Sequence, residues 1–246
     1  MDLTIPQALI NELNVPQIVD IRAQLPVNKN YTWAQLAGVR PVNDLTTIVL
    51  HHDAIKKSLR NGWTDIDTAA NIANTHINLK SNEPKGDAGF PYHIWIRSGI
   101  AYLCNNIEDR TYGVASNNGY TVHVCVHGEY YGTDQLTDAD RRALIAVCVA
   151  LKQTLPAYQA IKAHKELNPT DCPGYDYNGI RDDVVKVEAK IKAASDPSKT
   201  MENCYRAANQ HLFLFNQYQA NPSEYKWLES YLLKMHEITK EMGMYF

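Results

Sequence analysis

Three stretches of this sequence hold residues whose types and spacing suit metal chemistry. The run from Thr47 to Asp53 is apolar until it ends in His51 and His52. Strand side chains alternate, so one of the two histidines is available to a site on a given face of a sheet. The second stretch, Ala163 to Gly174, carries His164 and Cys172 eight residues apart across a Pro-containing segment. A loop of that length can fold back and bring both side chains to one ion, and imidazole with thiolate suits Zn²⁺. Taken alone the pair carries little weight, because a single histidine is usually a satisfied polar group and a single cysteine a small buried hydrophobe. The third stretch, Gly89 to Ile94, places Tyr92 at the start of a strand after a glycine-containing loop. By itself Tyr92 reads as an aromatic anchor at a sheet edge.

Strands and helices that could position these groups intermingle over the first two hundred residues. Leu45 to His51, Tyr92 to Arg97, Ala101 to Asn105 and Tyr120 to Val126 are short and rich in β-branched and aromatic residues, and read as strands. Ser98 and Gly99 are expected to turn the second into the third. The spacing predicts helices over Asp65 to Leu79, Thr137 to Leu155 and Gly179 to Ala194. In the second of these Thr137 can cap, Asp140 suits the first turn, and Leu144, Val147, Cys148 and Leu151 share a face. The expected fold is α/β, a mixed central sheet with helices on its faces.

The run from Ala193 to Lys199 joins a proline to small polar residues and marks a boundary, giving a first domain over 1–195 and a C-terminal region over 196–246. In that region Met201, Cys204, Tyr205, Ala208, Leu212 and Phe215 form one apolar stripe, and Leu228, Tyr231, Leu232 and Met235 a second. A helical hairpin is expected. So small a unit should dock on the first domain or on a second copy of itself, as a homodimer through these helices, and its aromatic content equally suits a cell-wall-binding element.

Composition is that of a globular protein, 45% apolar and 21% charged, and the net charge of -3 supplies no basic field for nucleic acid. Five scattered cysteines without a close pair argue against a disulfide framework. No stretch approaches a membrane span, and the N-terminus has no secretory apolar run. A protein made in the cytoplasm and needing help to leave it is expected.

In their order along the chain these features resemble the amidase-2 family, which comprises zinc amidases of phages and bacteria and the animal peptidoglycan recognition proteins. The resemblance rests on His51 and His52 at a strand end, Pro91-Tyr92-His93 with the Ser98-Gly99 hairpin, the Tyr120 to Gly128 strand, and His164 with Cys172-Pro173-Gly174. It extends over about 31–191, with Tyr31 to Trp33 and Val39 to Pro41 also similar. The resemblance implies that His51, His164 and Cys172 hold Zn²⁺ and that His52 supports them. It further implies that Tyr92 and Thr170 are catalytic, and that the substrate is the amide between N-acetylmuramic acid and L-alanine in bacterial peptidoglycan.

The chain departs from the family in two places. Many bacterial and phage relatives have lysine where Thr170 stands, and relatives often have a His-Ala pair where this chain has Val114 and Ala115. A phage endolysin is implied, held in the host cytoplasm until a holin-type release. The rival readings are a binding module, as in members that have lost the cysteine ligand, and a tail-borne wall-degrading protein. Glu166 and Asp53 read as unassigned polar residues. His123 and His127 share a strand face and could line a groove.

Overall fold

A computed structural model describes residues 3–79, 86–195, 197–224, 226, 229, 230 and 234. The chain divides into two compact units, Met1–Glu188 and Ala189–Phe246. In the first, β1 (Val19–Asp20), β2 (Thr47–His52), β3 (Ile94–Arg97), β4 (Ile100–Leu103), β5 (Thr121–Val126) and β6 (Ala160–Ala163) form one sheet in the order β1-β4-β3-β5-β2-β6. Only β3 and β4 pair antiparallel; every other neighbouring pair is parallel. This is the expected mixed sheet, with β1 and β6 added. β1 is too short to show a pattern of its own, and β6, Ala-Ile-Lys-Ala, lacks the β-branched and aromatic enrichment of the others.

The β3–β4 turn forms where Ser98-Gly99 predicts it. Ser98 and Gly99 have φ of 55° and 77°, the double left-handed geometry of a type I′ hairpin. A Cβ on Gly99 would lie 2.9 Å from the Ala139 Cβ, so only glycine lets this turn pack on the following helix.

Helices α1 (Gln7–Leu13), α2 (Trp33–Leu36), α3 (Asp65–Ile77), α4 (Asp138–Thr154) and α5 (Tyr177–Ala194) accompany the sheet. Every residue of β2 and β5 is buried, as expected of parallel strands covered on both faces. Ala69, Ile72 and Ala73 of α3 pack with Trp95, Tyr102 and Cys125, the two alanines allowing close approach. α4 begins as its sequence predicts: the Thr137 hydroxyl accepts from the Asp140 N–H at 3.1 Å, and Leu144, Val147, Cys148 and Leu151 are fully buried. α4 lies against β3, β4 and β5. Its Asp140 carboxylate accepts from the Gly99 N–H at 2.9 Å and pairs with Lys57, tying the helix start to the hairpin.

In the C-terminal region Pro197–Ala220 forms one helix, α6. The second helix of the expected hairpin, with Leu228, Tyr231, Leu232 and Met235, lies outside the described residues. Among the described residues no helix is long and apolar enough to cross a membrane.

Candidate metal centre

The end of β2 settles which histidine faces the site. Register pairs His51 with Cys125, and in β5 His123 lies on the same face two residues earlier. β6 runs parallel to β2 with Leu50 opposite Ala163, so the next residue of each strand brings His51 beside His164. Their rings lie 4.7 Å apart, centre to centre.

The loop after β6 then folds back as its length allows. The Lys165 N–H donates to the Cys172 carbonyl at 2.9 Å, which returns Cys172 to the strand ends. One ligand atom from each of His51, His164 and Cys172 lies within 4.8 Å of the others. The Cys172 Sγ is 3.9 Å from the His51 Nδ1. Two donors of a tetrahedral zinc would stand about 3.6 Å apart, so the set of two nitrogens and a sulfur suits the ion in chemistry, and the Cys172–His51 separation is close to that spacing.

Burial governs the electrostatics. Desolvation, then the His164, His52 and His93 side chains, hold His51 well below the ordinary imidazole range. Desolvation also lowers His164. Both rings are therefore neutral and offer lone pairs. Burial pushes the Cys172 thiol up to about 12, opposed by the His52 N–H, which donates to its sulfur at 3.4 Å. Without an ion this cysteine keeps its proton, which a bound metal would displace.

Behind His51 stands a support that the sequence shows only as two histidines sharing a strand face. The His51 Nε2 is 3.0 Å from the His123 Nδ1, and the His123 Nε2 is 3.3 Å from the Thr121 hydroxyl, which donates to the Asn117 carbonyl at 3.0 Å. With His51 offering Nδ1 to an ion, its Nε2–H donates to His123, whose Nε2–H donates in turn to Thr121. This chain fixes tautomer and ring plane together. Gly113 makes room for it: a Cβ there would lie 2.7 Å from the His123 Nδ1. His123→Leu is expected to weaken zinc affinity roughly 10- to 100-fold while leaving three ligands in place. Competition with a zinc chelator measures this, and unchanged affinity would remove the support role.

Farther in, the His93 Nδ1 accepts from the His123 N–H at 2.9 Å, so its Nε2–H donates to the Asp109 carbonyl at 2.8 Å. Burial, then the Arg40 guanidinium, pushes His93 down to about 3. Arg40 is itself buried and donates to the carbonyls of Ile107, Asp109 and Asn118 at 2.7 to 2.8 Å.

The remaining sequence-predicted residues fall as follows. The Tyr92 ring packs 5.0 Å from that of His51, and burial raises its phenol well above the ordinary value, so it stays protonated. The Thr170 hydroxyl oxygen accepts from the Cys172 N–H at 3.3 Å. The His52 ring is turned elsewhere, its Nδ1 accepting from the Tyr130 N–H at 3.3 Å. Glu166 is exposed but not idle: its carboxylate accepts from the Ala163 N–H at 2.6 Å and pairs with Arg181, bracing the turn that presents His164. Asp53, also unassigned from sequence, is a buried hub that binds His127 Nδ1 at 2.8 Å, Trp95 Nε1 at 3.1 Å and the Gly128 N–H at 3.0 Å. His127 is thereby fixed by Asp53, and it also lines a small pocket with Lys57, Arg97 and Thr137. Val114 is fully buried.

No family model and no curated protein matches the chain. Among solved structures it is similar to the endolysin N-acetylmuramoyl-L-alanine amidase LysCS of Clostridium intestinale, with 21% identity, 69% of this chain and 96% of that one covered, and a TM-score of 0.51. It is also similar to the Drosophila peptidoglycan recognition protein SD, with 19% identity, 65% and 89% covered and a TM-score of 0.50. For the bumblebee recognition protein PGRP-SA the values are 16%, 68% and 94%, and 0.52. These likenesses establish the fold, which is that of the amidase-2 and peptidoglycan recognition proteins.

Proposed function

We propose that this chain is a zinc-dependent N-acetylmuramoyl-L-alanine amidase acting on bacterial peptidoglycan, of the endolysin kind that phages or prophages use for host lysis. The observation that carries the reading is the convergence of His51, His164 and Cys172 within 4.8 Å, beside Tyr92 and Thr170, in a fold that known amidases share. Three protein donors are the complement of a catalytic zinc, whereas structural zinc sites use four.

Bound there, zinc would lower the pKa of a water towards neutrality and polarise the scissile carbonyl. The chain's own groups supply orientation. His51 is locked by His123, and Cys172 is held by the His52 N–H. Of the two roles open to Tyr92, orienting the water or accepting its proton, its raised ionisation supports the first, as a phenol that donates or accepts a hydrogen bond without ionising. Thr170 supplies a neutral donor for the oxyanion where a lysine would supply a cation.

Stripping zinc is expected to abolish release of amino groups from purified peptidoglycan, and adding back one equivalent to restore it. Failure of Zn²⁺ to restore activity to a folded protein would contradict the reading. Tyr92→Phe is expected to lower kcat roughly 100-fold with zinc content unchanged. Full activity in that variant with zinc still bound would remove Tyr92 from the mechanism.

A further inference from the structure

A cavity of about 360 Å³ lies outside the metal centre, between the chain leading into α2, the start of α2 and the loop after β4. Its size falls among those of small-molecule sites. Leu25, Val27, Ala34, Ala88 and Phe90 give it apolar walls. Its two charged groups, Arg22 and Asp109, are already engaged: Arg22 pairs with Asp20, and the Asp109 carboxylate accepts from the Asn106 Nδ2 at 2.9 Å. A neutral occupant suits such a lining better than an ion.

Two neutral polar groups of the lining are not engaged. Trp33 is only 5% exposed, yet its Nε1–H finds no acceptor among the described residues. A buried donor left unpaired in this way carries its full desolvation penalty. The indole is held in place, its ring packed edge-on against that of Tyr112 at 5.2 Å. The Pro26 carbonyl likewise accepts no hydrogen bond among the described residues. Gly89 stands between the two: a Cβ there would lie 3.4 Å from the Pro26 oxygen and 3.8 Å from the Trp33 Nε1. With hydrogen in place of a side chain, Gly89 leaves a seat flanked by one donor and one acceptor.

We propose that this cavity binds a small neutral ligand through a secondary amide, whose C=O accepts from the Trp33 Nε1–H and whose N–H donates to the Pro26 carbonyl. A secondary amide presents an acceptor and a donor together and brings no charge to be desolvated. The acetamido group of an amino sugar and the backbone of a peptide both carry it. The site is independent of the amidase reading, since it invokes neither zinc nor hydrolysis.

The test titrates the full zinc-loaded chain with N-acetylglucosamine and with N-acetyl-L-alanine methylamide, and with glucose as the control that lacks an amide. The NMR signals of the Trp33 indole N–H, identified by its loss in Trp33→Phe, and of the Gly89 backbone N–H report on the seat. At least one amide probe is expected to move the indole signal downfield and saturably, with a Kd on the order of 1 mM, typical of so small a ligand, while glucose leaves it in place. The probe that does so identifies the source of the amide as sugar or peptide. Gly89→Ala fills the seat with a methyl group at ordinary contact distances, so its Tm should stay near the wild-type value while its affinity falls roughly tenfold or more. Trp33→Phe keeps a ring against Tyr112 and loses the donor, and its affinity, followed at Gly89, should fall roughly tenfold. This second variant decides the matter if Gly89→Ala does not fold. An indole signal that neither amide probe moves at about ten times that Kd, an equal response to glucose, or affinity within about twofold of wild type in either folded variant would overturn the proposal.

Discussion

Cys172→Ser is expected to emerge without zinc and with amidase turnover reduced by roughly 10³-fold or more, the several kcal/mol that a catalytic metal supplies. The size of the effect follows from where the sulfur sits. Cys172 is buried, 3.9 Å from the His51 Nδ1, with the His52 N–H pointing at its Sγ. Burial pushes its thiol up to about 12, so it ionises at neutral pH only when an ion replaces the proton. A serine hydroxyl is far more reluctant to do so and is a harder, weaker partner for zinc. The change in volume is slight, so the fold should survive. Metal content by atomic absorption, taken with turnover, checks this. A variant that binds one zinc and cleaves at the wild-type rate would show that Cys172 is no ligand.

The zinc-free protein is expected to lose stability steeply as the pH falls from about 6.5 towards 3. His93 is held neutral at about 3 in the folded chain against 6.5 as its ordinary value. Between those limits the unfolded chain binds a proton that the folded chain refuses. The stabilisation is therefore complete above pH 6.5 and drains away as the pH drops, at about 1.4 kcal/mol per pH unit for one histidine. His123, stacked on His93 and shifted the same way by burial and by His51, adds to the slope. Urea midpoints at pH 7.5 and pH 5 would measure it. A midpoint that stays constant or rises on acidification would contradict the buried neutral cluster.

How far the sequence discloses this site depends on whether the signal is local. α4 is legible because Thr137, Asp140 and the Leu144 face all lie within one segment, and the hairpin because Ser98-Gly99 fits one turn type. The return of Cys172 towards His164 is legible as a loop length. The pairing of His51 with His123 is not, because it depends on the register of β2 against β5, two strands separated by some seventy residues of chain. The same register, and not the His51-His52 dipeptide, decides which of those two histidines meets Cys172. β6 is only four residues long and half-buried in pattern, yet its parallel pairing with β2 delivers His164. The bracing of Glu166 by Arg181 is equally hidden, since it depends on how the loop folds back on the helix that follows it. Asp53 reads as one more polar residue after a strand until the fold surrounds it with four donors.

The most direct test of the central claim is the identity of the bond that is cut. Purified peptidoglycan is digested with the zinc-loaded chain, and its products are analysed by mass spectrometry and by assays for amino groups and reducing sugars. The account predicts peptides with a free N-terminal L-alanine, intact glycan strands and no new reducing ends. New reducing ends, cleavage within the peptide, or tight wall binding without any release would contradict it.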